Sequence, residues 1–425
     1  MKFIIAALAL LLTAAQASAL EKIIVVNQGM WQTDNGRLSY FEDGKIVSNQ
    51  WFRDVNGKKL GDTPEDIIQL SDNLIAISLN WSNIIQFIDT KGKAVAATED
   101  IPNNRRLATD GTCLYVTSYA HECVVGNTPV SFDKGYVAKI DLSTYKVISA
   151  VEVGYEPEGI AYYGGRLFVA NSGGYAFQEG HDYEHTVSVI DPQTMTVVRT
   201  VDVGASNLYG SLSQSGQYLC ISSAGDYYET SASTVILDCQ AVIDGKSDTD
   251  CSVNLSYAST CSTTDTEGHF LAVGTRYSYT GGDSSTDFLT IDPAVAFATR
   301  GASGISETLP GTMIADISKM TQPYGLYVNP YTGYIYGTDA GEYTGAGSLY
   351  QWSPEGKLLS KNKVYINPGS FLALPPDGHF VGVDNIIADP VRPADNTIYN
   401  LQGIPVTYPV PGQVYIQNGK KFIQK

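Results

Sequence analysis

A pattern of about fifty residues recurs along this chain of 425 residues. Each copy consists of an apolar segment rich in β-forming residues, a polar loop and a second apolar segment. In five copies the second segment ends with Asp, here called the closing Asp. Those closing residues, Asp89, Asp141, Asp191, Asp238 and Asp292, are 47 to 54 residues apart. The five copies span residues 74–89, 114–141, 167–191, 219–238 and 270–292, and two degenerate copies span residues 23–41 and 335–352.

Seven short-strand repeats with a period near 50 predict an all-β, seven-bladed β-propeller. One unit cannot bury both of its faces, whereas units stacked in a ring bury each other and leave few exposed strand edges. The fourth unit shows four strands at residues 159–163, 167–171, 187–191 and 197–203. We therefore expect four-stranded blades, with strands a (innermost) to d (outermost).

The two ends of the chain are expected to close the ring together. The first unit begins with a b strand at residues 23–27 and lacks its own innermost strand. Residues 369–374 are predicted to supply it, because Asn367-Pro368-Gly369 resembles the entry to other a strands. Residues 379–384 also resemble a strand, and this scheme gives them no partner.

The N-terminus is typical of an exported protein. Lys2, the apolar residues 3–12 and Ala17-Ser18-Ala19 predict a signal peptide cut after residue 19. The apolar run is too short to span a bilayer, and we expect no transmembrane segment. The predicted organisation is a signal peptide at 1–19, a propeller at 20–375, and a linker with a C-terminal tail at 376–425.

Six cysteines in an exported chain can form disulfides. Cys113 with Cys123, and Cys239 with Cys251, are close in sequence and form plausible local pairs. Cys220 and Cys261 lie in apolar strand patterns, where buried free thiols are an equally good interpretation.

Charge and motif content narrow the function classes. The net charge of −17 repels phosphate backbones and anionic lipid, so we expect no nucleic-acid partner. No nucleophile elbow, HExxH pair or P-loop occurs, which favours a binding protein over an enzyme. Glu156 and Glu158 leave a carbohydrate-active role open as an alternative.

Aromatic loops form the candidate binding face. In a propeller the b–c and d–a connections emerge on one face, and here they carry many Tyr and Trp residues, which offer rigid contact area with a polar tip. The predicted ligand-binding residues are Trp31, Trp81, Arg105, Arg106, Tyr119, Tyr175, Glu158, Tyr209, Tyr227, Tyr228, Tyr277, Tyr324 and Tyr343. The same connections also carry Glu65, Phe177, Tyr183 and Asn207.

Each of these candidates has a structural alternative. The rings can bury one another, and Arg105 and Arg106 can form ion pairs with Glu156 or Glu158 instead of contacting a ligand. We expect one arginine to point to the central channel and the other into its blade. His181 and His185 are weak metal candidates, because their spacing is that of a loop and a solvated loop is the simpler interpretation.

Two resemblances follow from these motifs. Pro157-Glu158-Gly159-Ile160-Ala161, Leu167-Phe168-Val169-Ala170-Asn171 and Val187-Ser188-Val189-Ile190-Asp191 resemble the YncE-type propeller repeat with its YVTN motif. Asn27-Gln28-Gly29, Asn35-Gly36-Arg37-Leu38-Ser39-Tyr40, Leu60-Gly61-Asp62-Thr63 and Ile366-Asn367-Pro368-Gly369-Ser370-Phe371 resemble the BtuG-type propellers of Bacteroidetes.

The second resemblance implies a cell-surface or secreted protein that captures cobalamin or a related cobamide for an outer-membrane TonB-dependent transporter. No other cofactor is implied, and we expect a monomer. Known members are lipoproteins, whereas this chain has no Cys near the predicted cleavage site. Residues 398–425 resemble the end of a type IX secretion sorting domain, which implies display at the surface after removal of the tail. A glycan-binding or carbohydrate-active propeller and an adhesive protein-interaction propeller are the alternatives.

Overall fold

Seven four-stranded antiparallel sheets form a ring in the computed structural model, which describes residues 21–210, 212–277, 284–380, 414–417 and 420–423. The chain divides into two units, Met1–Phe380 and Val381–Lys425. The first unit is the predicted seven-bladed β-propeller. The predicted signal peptide and most of the predicted tail lie outside the described residues.

The strands of the first four blades follow the chain, except that the innermost strand of blade 1 comes from the C-terminal side. Blade 1 contains β1 (Lys22–Asn27), β2 (Arg37–Glu42) and β3 (Lys45–Ser48), followed by helix α1 (Trp51–Asn56). Blade 2 contains β4 (Pro64–Ser71), β5 (Leu74–Leu79), β6 (Ile84–Ile88) and β7 (Ala94–Ala97). Blade 3 contains β8 (Asn104–Thr109) and β9 (Cys113–Ser118), then the inserted hairpin β10 (Glu122–Val125) and β11 (Thr128–Ser131), then β12 (Tyr136–Asp141) and β13 (Lys146–Glu152). Blade 4 contains β14 (Pro157–Tyr163), β15 (Arg166–Asn171), helix α2 (Ala176–Glu179), β16 (Thr186–Asp191) and β17 (Thr196–Asp202).

Blades 5 and 6 carry short helices near their outer edges, and blade 7 consists of strands and their connections. Blade 5 contains β18 (Leu212–Ser215), β19 (Tyr218–Ser223), β20 (Ser233–Asp238), α3 (Cys239–Ile243), α4 (Asp248–Cys251) and β21 (Ser252–Leu255). Blade 6 contains β22 (Cys261–Thr264), β23 (Phe270–Tyr277), β24 (Ser284–Ile291), α5 (Pro293–Ala298) and β25 (Ile305–Ser306), and α6 (Met313–Ile317) follows it. Blade 7 contains β26 (Pro323–Val328), β27 (Ile335–Asp339), β28 (Ser348–Trp352) and β29 (Leu358–Lys363), and β30 (Pro368–Leu374) completes blade 1.

Burial explains why the inner strands are continuous apolar runs. In blade 4, all of residues 167–171 in β15 are buried, because neighbouring blades cover both faces of the sheet. The outermost strand β17 is largely exposed. Inner strands therefore lack the apolar–polar alternation of a half-buried strand, and the repeat is visible as short apolar blocks.

The closing Asp of each repeat stabilises the connection that follows its third strand. Asp141 accepts hydrogen bonds from the backbone N–H groups of Ser143 and Thr144 at 3.0 and 2.8 Å, which forms a tight turn into the outer strand. In blades 5 and 6, Asp238 and Asp292 instead cap the N-termini of α3 and α5. The same residue therefore begins a turn in some blades and a helix in others, a difference that the sequence analysis missed.

Ring closure agrees with the prediction. β30 pairs with β1 in antiparallel register, with Phe371 opposite Val25 and Ala373 opposite Ile23. The innermost strands contact one another in the order β30, β4, β8, β14, β18, β22, β26 and back to β30. His379 and Phe380 do not belong to a strand, and the remainder of the strand expected at 379–384 lies outside the described residues.

All six cysteines carry free thiols in this structure, so neither local disulfide considered from the sequence is present. Cys113 packs against the core between blades 3 and 4, whereas Cys123 belongs to the core between blades 2 and 3. The two side chains therefore lie on opposite faces of blade 3. Cys239 and Cys251 share one buried cluster as separate thiols.

The second unit contains one described element, an antiparallel hairpin of β31 (Val414–Gln417) and β32 (Lys420–Ile423). Over the described ranges of both units, no helix has the length and apolar character needed to cross a membrane.

Candidate functional site

A β-bulge at the entry of the innermost strand shapes the centre of the face. The strand register shifts there in blades 1, 2, 3, 4 and 7. A bulge leaves a residue unpaired and redirects its side chain. In blades 2, 3, 4 and 7 the residues at the bulges include Glu65, Arg105, Arg106, Glu158 and Tyr324, which are joined across blade boundaries.

Two arginines and two glutamates form a buried cluster, here called the central quartet: Arg105, Arg106, Glu65 and Glu158. Arg105 donates from Nη1 to Glu65 Oε1 at 2.8 Å, and from Nη2 and Nε to Glu158 Oε1 at 2.8 and 3.1 Å. Arg106 Nε lies 3.7 Å from Glu158 Oε2, and its Nη1 donates to the Glu65 carbonyl at 2.8 Å. The formal charges of the four groups cancel.

The structure thus shows the ion-pair arrangement considered for the arginines, with Glu158 and Glu65 as partners. Both guanidinium groups reach the same two carboxylates, whereas the sequence analysis expected one arginine to point to the central channel and the other into its blade. Consecutive residues of a regular strand would point to opposite faces. The bulge in β8 removes that alternation.

The central quartet continues into blades 1 and 7. Gln28 donates from Nε2 to Glu65 Oε2 at 3.0 Å, and Tyr324 donates its hydroxyl to Gln28 Oε1 at 2.5 Å. The Tyr119 hydroxyl donates to Glu158 on the other side. Gln28 was missed by the sequence analysis, because nothing in its local pattern shows that β1 ends beside the bulge of blade 2.

Burial and neighbouring charges fix the protonation states of Arg105 and Tyr119. Burial opposes the charge of Arg105, but Glu158 and Glu65 outweigh it and raise the pKa of Arg105 well above its ordinary value. Burial also raises the pKa of the Tyr119 hydroxyl far above its ordinary value. The guanidinium is therefore charged and the phenol neutral throughout the physiological pH range. Burial similarly raises the pKa of the neighbouring Asp66 carboxyl.

An open cleft lies over the central quartet, here called the aromatic cleft. Its cavity volume is about 350 Å³, within the range common for small-molecule sites. Its walls come from blades 3, 4 and 5. The lining residues are Arg105, Tyr119, Gly174, Tyr175, Phe177, Tyr183, Asn207, Tyr209 and Tyr227.

Ring contacts organise the walls of the aromatic cleft. Tyr119 meets Tyr175 edge to face, with ring centroids 5.4 Å apart, and Tyr183 meets Tyr227 at 6.4 Å. The Arg105 guanidinium carbon lies 4.9 Å from the Tyr119 ring centroid. Tyr119 is buried, so part of the expected mutual packing of rings is present, while Tyr175 and Tyr227 remain partly exposed. The cleft therefore has a rigid floor and accessible aromatic walls.

Asn207 adds a polar atom to this apolar surface. Its backbone N–H donates to the Glu184 carbonyl at 2.7 Å, and its carbonyl accepts from the N–H groups of Tyr209 and Ala224 at 2.8 and 2.9 Å. The residue has φ +57°, a left-handed conformation that Asn tolerates. The side chain is buried, and Oδ1 accepts no hydrogen bond from the described residues. An orphaned buried acceptor lining a cleft is a position for a ligand donor.

The loop that carries Tyr175 is held by a second polar cluster. His181 Nε2 lies 3.3 Å from Glu156 Oε2, and the His181 ring stacks on Tyr155 with centroids 4.0 Å apart. Glu156 also accepts from the Tyr175 backbone N–H at 3.2 Å. Glu156 and Glu158 thus bind different partners.

The two histidines considered for metal binding have separate neighbours. His181 is next to Glu156, whereas His185 Nε2 lies 3.8 Å from Asp202 on the exposed surface. Within the described ranges, no three His, Cys, Asp or Glu side chains are grouped closely enough to hold a metal ion.

The predicted ligand-binding residues fall into several groups. The aromatic cleft brings together Arg105, Tyr119, Tyr175, Tyr209 and Tyr227, with Arg106 and Glu158 beneath it. The remaining predicted residues are Trp31, Trp81, Tyr228, Tyr277, Tyr324 and Tyr343, and the described part of the cleft wall does not include them.

Trp31 and Trp81 form a separate pair on the loops of blades 1 and 2, with ring centroids 4.9 Å apart and exposures of 62% and 46%. Tyr324 and Tyr343 form another pair, at 5.9 Å. Tyr228 is exposed, and the side chain of Tyr277 lies outside the described residues. Phe177, Tyr183 and Asn207 were noted as loop residues but not included in the predicted site, because no sequence signal ranks one loop residue above another.

Comparison with known proteins identifies a family but no activity. Residues 22–338 match a family model described as a domain of unknown function, DUF5074. No curated protein matches the chain.

Solved structures share the fold at low identity. A Kuenenia stuttgartiensis hydrazine synthase chain has 15% identity and a TM-score of 0.52, over 74% of this chain and 93% of that one. A functionally unknown Desulfotomaculum acetoxidans protein has 15% identity and a TM-score of 0.51, over 83% and 98%. A quinonprotein alcohol dehydrogenase-like protein from Bacteroides thetaiotaomicron has 12% identity and a TM-score of 0.53, over 83% and 78%. Likeness at this level concerns the fold alone.

Proposed function

This chain belongs to the DUF5074 family, and from that premise we propose that it is a ligand-binding propeller that captures cobalamin or a related cobamide in its aromatic cleft. The observation that carries the proposal is a preformed cleft whose accessible tyrosines surround a polar floor. Rigid aromatic walls suit a flat macrocycle, since they provide contact area at low entropic cost. The resemblance of the chain ends to BtuG-type propellers supplies the ligand identity.

The proposed role is capture without turnover. An exported protein at the cell surface would hold the ligand and pass it to an outer-membrane TonB-dependent transporter. Glu158 is engaged by Arg105 and Tyr119, and Glu156 by His181 and the Tyr175 backbone. Both acids therefore already bind protein groups, which supports binding in preference to hydrolysis.

Calorimetric titration of the purified protein with cyanocobalamin tests this proposal. We expect one-to-one binding that Tyr175→Ala weakens at least tenfold, because truncation of an aromatic anchor removes about 1.4 kcal/mol or more. Tyr334→Ala is the matched control, since Tyr334 lies in the turn between β26 and β27, away from the aromatic cleft. The control variant should bind within twofold of the unsubstituted protein.

The absence of binding heat at micromolar protein, with thermal unfolding unchanged, would reject cobalamin as the ligand. Equal losses in Tyr175→Ala and Tyr334→Ala would place the ligand elsewhere or attribute the effect to general destabilisation.

Glycan binding is the second candidate, and the Trp31–Trp81 pair favours it. Large exposed indoles are the surfaces on which sugar rings stack, and this pair lies on loops outside the described cleft wall. A glycan array that shows binding by the protein and loss of binding by Trp81→Ala would support this role. Array binding that Trp81→Ala leaves intact would reject the pair as the sugar site.

A further inference from the structure

We infer that the aromatic cleft selects electroneutral ligands that carry amide or hydroxyl groups, and that Glu65 and Glu158 determine this selectivity by excluding anions. The inference rests on the proposed function for the location of the ligand, and it extends that function by naming the class of ligand. It concerns the charge of the floor of the cleft and the hydrogen-bonding groups that remain available there.

The arginines on the floor are already neutralised. Arg105 binds Glu65 and Glu158 at hydrogen-bonding distance, and Arg106 lies within 4 Å of the same two carboxylates. An anionic ligand would have to approach two carboxylates whose side chains are 7% and 0% exposed, with little water to screen them. The floor therefore offers the geometry of an arginine site without its net positive charge.

Donors remain on that floor for an uncharged ligand. A guanidinium has five N–H donors, and the quartet bonds of Arg105 use three of them. Arg105 lines the cleft, so its remaining N–H groups are placed to donate to a carbonyl or hydroxyl oxygen.

An acceptor is available on the neighbouring wall. Asn207 lines the cleft, and its buried Oδ1 accepts no hydrogen bond from the described residues. Three backbone hydrogen bonds hold the residue in place. A primary amide offers an N–H to Asn207 and a carbonyl to Arg105 at the same time, and a pair of hydroxyls can do the same. A carboxylate or phosphate offers acceptors only, and would leave Asn207 unpaired.

Two aromatic probes of equal shape separate charge from size. Calorimetric titration with 2-naphthalenesulfonamide and with 2-naphthalenesulfonate measures the ratio of their dissociation constants without reference to cobalamin. We expect the neutral sulfonamide to bind at least tenfold more tightly. In Glu158→Gln the floor gains one net positive charge, and the ratio should shift about tenfold towards the sulfonate, which corresponds to about 1.4 kcal/mol.

Glu65→Gln is the second variant and should shift the ratio in the same direction, so that the test survives if one substitution prevents folding. Asn207→Gly removes the acceptor without backbone strain at φ +57°, and should weaken sulfonamide binding severalfold while leaving sulfonate binding unchanged. An unchanged ratio in both glutamine variants overturns the inference. Preference of the unsubstituted protein for the sulfonate, or failure of both probes to bind at millimolar concentration, overturns it as well.

A titration with two forms of cobalamin distinguishes this inference from the proposed function. Cyanocobalamin is compared with a derivative in which one peripheral amide is hydrolysed to a carboxylate. Tight binding of the first with at least tenfold weaker binding of the second supports both. Equal binding of the two overturns the inference and leaves cobalamin capture standing, whereas no binding of cyanocobalamin together with the expected probe ratios rejects cobalamin alone.

Discussion

Replacing Arg105 by Met separates the structural role of this residue from a role in ligand binding. Methionine keeps much of the side-chain volume but removes three hydrogen bonds to Glu65 and Glu158. Two buried carboxylates then keep a single cationic neighbour, Arg106, at 3.7 to 3.8 Å, besides their neutral donors Gln28 and Tyr119. Removing one member of a buried ion pair typically costs about 3–5 kcal/mol, because the other charge is left without a partner.

That energy corresponds to a measurable change in melting temperature. The chain from Glu21 to Phe380 has 360 residues, and unfolding entropy is about 2.1 cal/mol/K per residue. The resulting slope is about 0.76 kcal/mol per degree, so Arg105→Met should lower the melting temperature by about 4–7 °C. Differential scanning calorimetry at neutral pH measures this shift directly.

A double-mutant cycle tests the cause of that loss. Arg105→Met combined with Glu158→Gln removes one charge of each sign, and should recover at least half of the lost stability. Lys146→Met is the control from the same blade, because Lys146 pairs with Glu99 at 4.0 Å on the exposed surface and should cost at most about 0.5 kcal/mol.

A melting temperature of Arg105→Met within about 1 °C of the unsubstituted protein would refute this reasoning. Further destabilisation on adding Glu158→Gln would refute it equally, because the charge balance of the central quartet would then not be the source of the effect.

Two other substitutions test other buried carboxylates. Glu21 joins blade 1 to blade 7 by accepting hydrogen bonds from Asn329 Nδ2 and Gln351 Nε2 at 2.9 and 3.0 Å. Glu21→Ala should lower the free energy of unfolding, measured by chemical denaturation, by about 2–4 kcal/mol. A loss below about 0.5 kcal/mol would show that water replaces the carboxylate. Burial opposes the charge of Asp316, but hydrogen bonds led by the Trp352 indole N–H outweigh it and lower the pKa of Asp316. The ionised Asp316 carboxylate therefore stabilises the fold at pH values above its unfolded-state pKa near 4, and this contribution is lost as the pH falls through the lower folded-state pKa. Asp316→Asn should flatten the acid side of a plot of melting temperature against pH. An unchanged acid side would contradict this reasoning.

Most of the fold could be predicted from local sequence. Inner strands are buried on both faces and appear as apolar blocks. In five blades a closing Asp marks the end of the third strand, because its carboxylate accepts hydrogen bonds from the N–H groups of the turn or helix that follows. The pairing of residues 369–374 with the first b strand followed from the missing innermost strand, and β30 confirms it. The hairpin β10–β11 and the short helices of blades 5 and 6 were missed, because they lie in the connections between the repeated strands.

The composition of the site was decided by tertiary structure. Arg105 is 40 residues from Glu65 and 53 from Glu158, and these three side chains meet only because adjacent blades bring equivalent bulges together. Trp81 and Tyr175 looked equivalent as exposed loop aromatics, yet only Tyr175 lines the described cleft. Sequence alone determined the blades, since each blade follows from local burial and turn chemistry. The site depended on the ring, since its curvature and loop conformations set which distant residues face the same space.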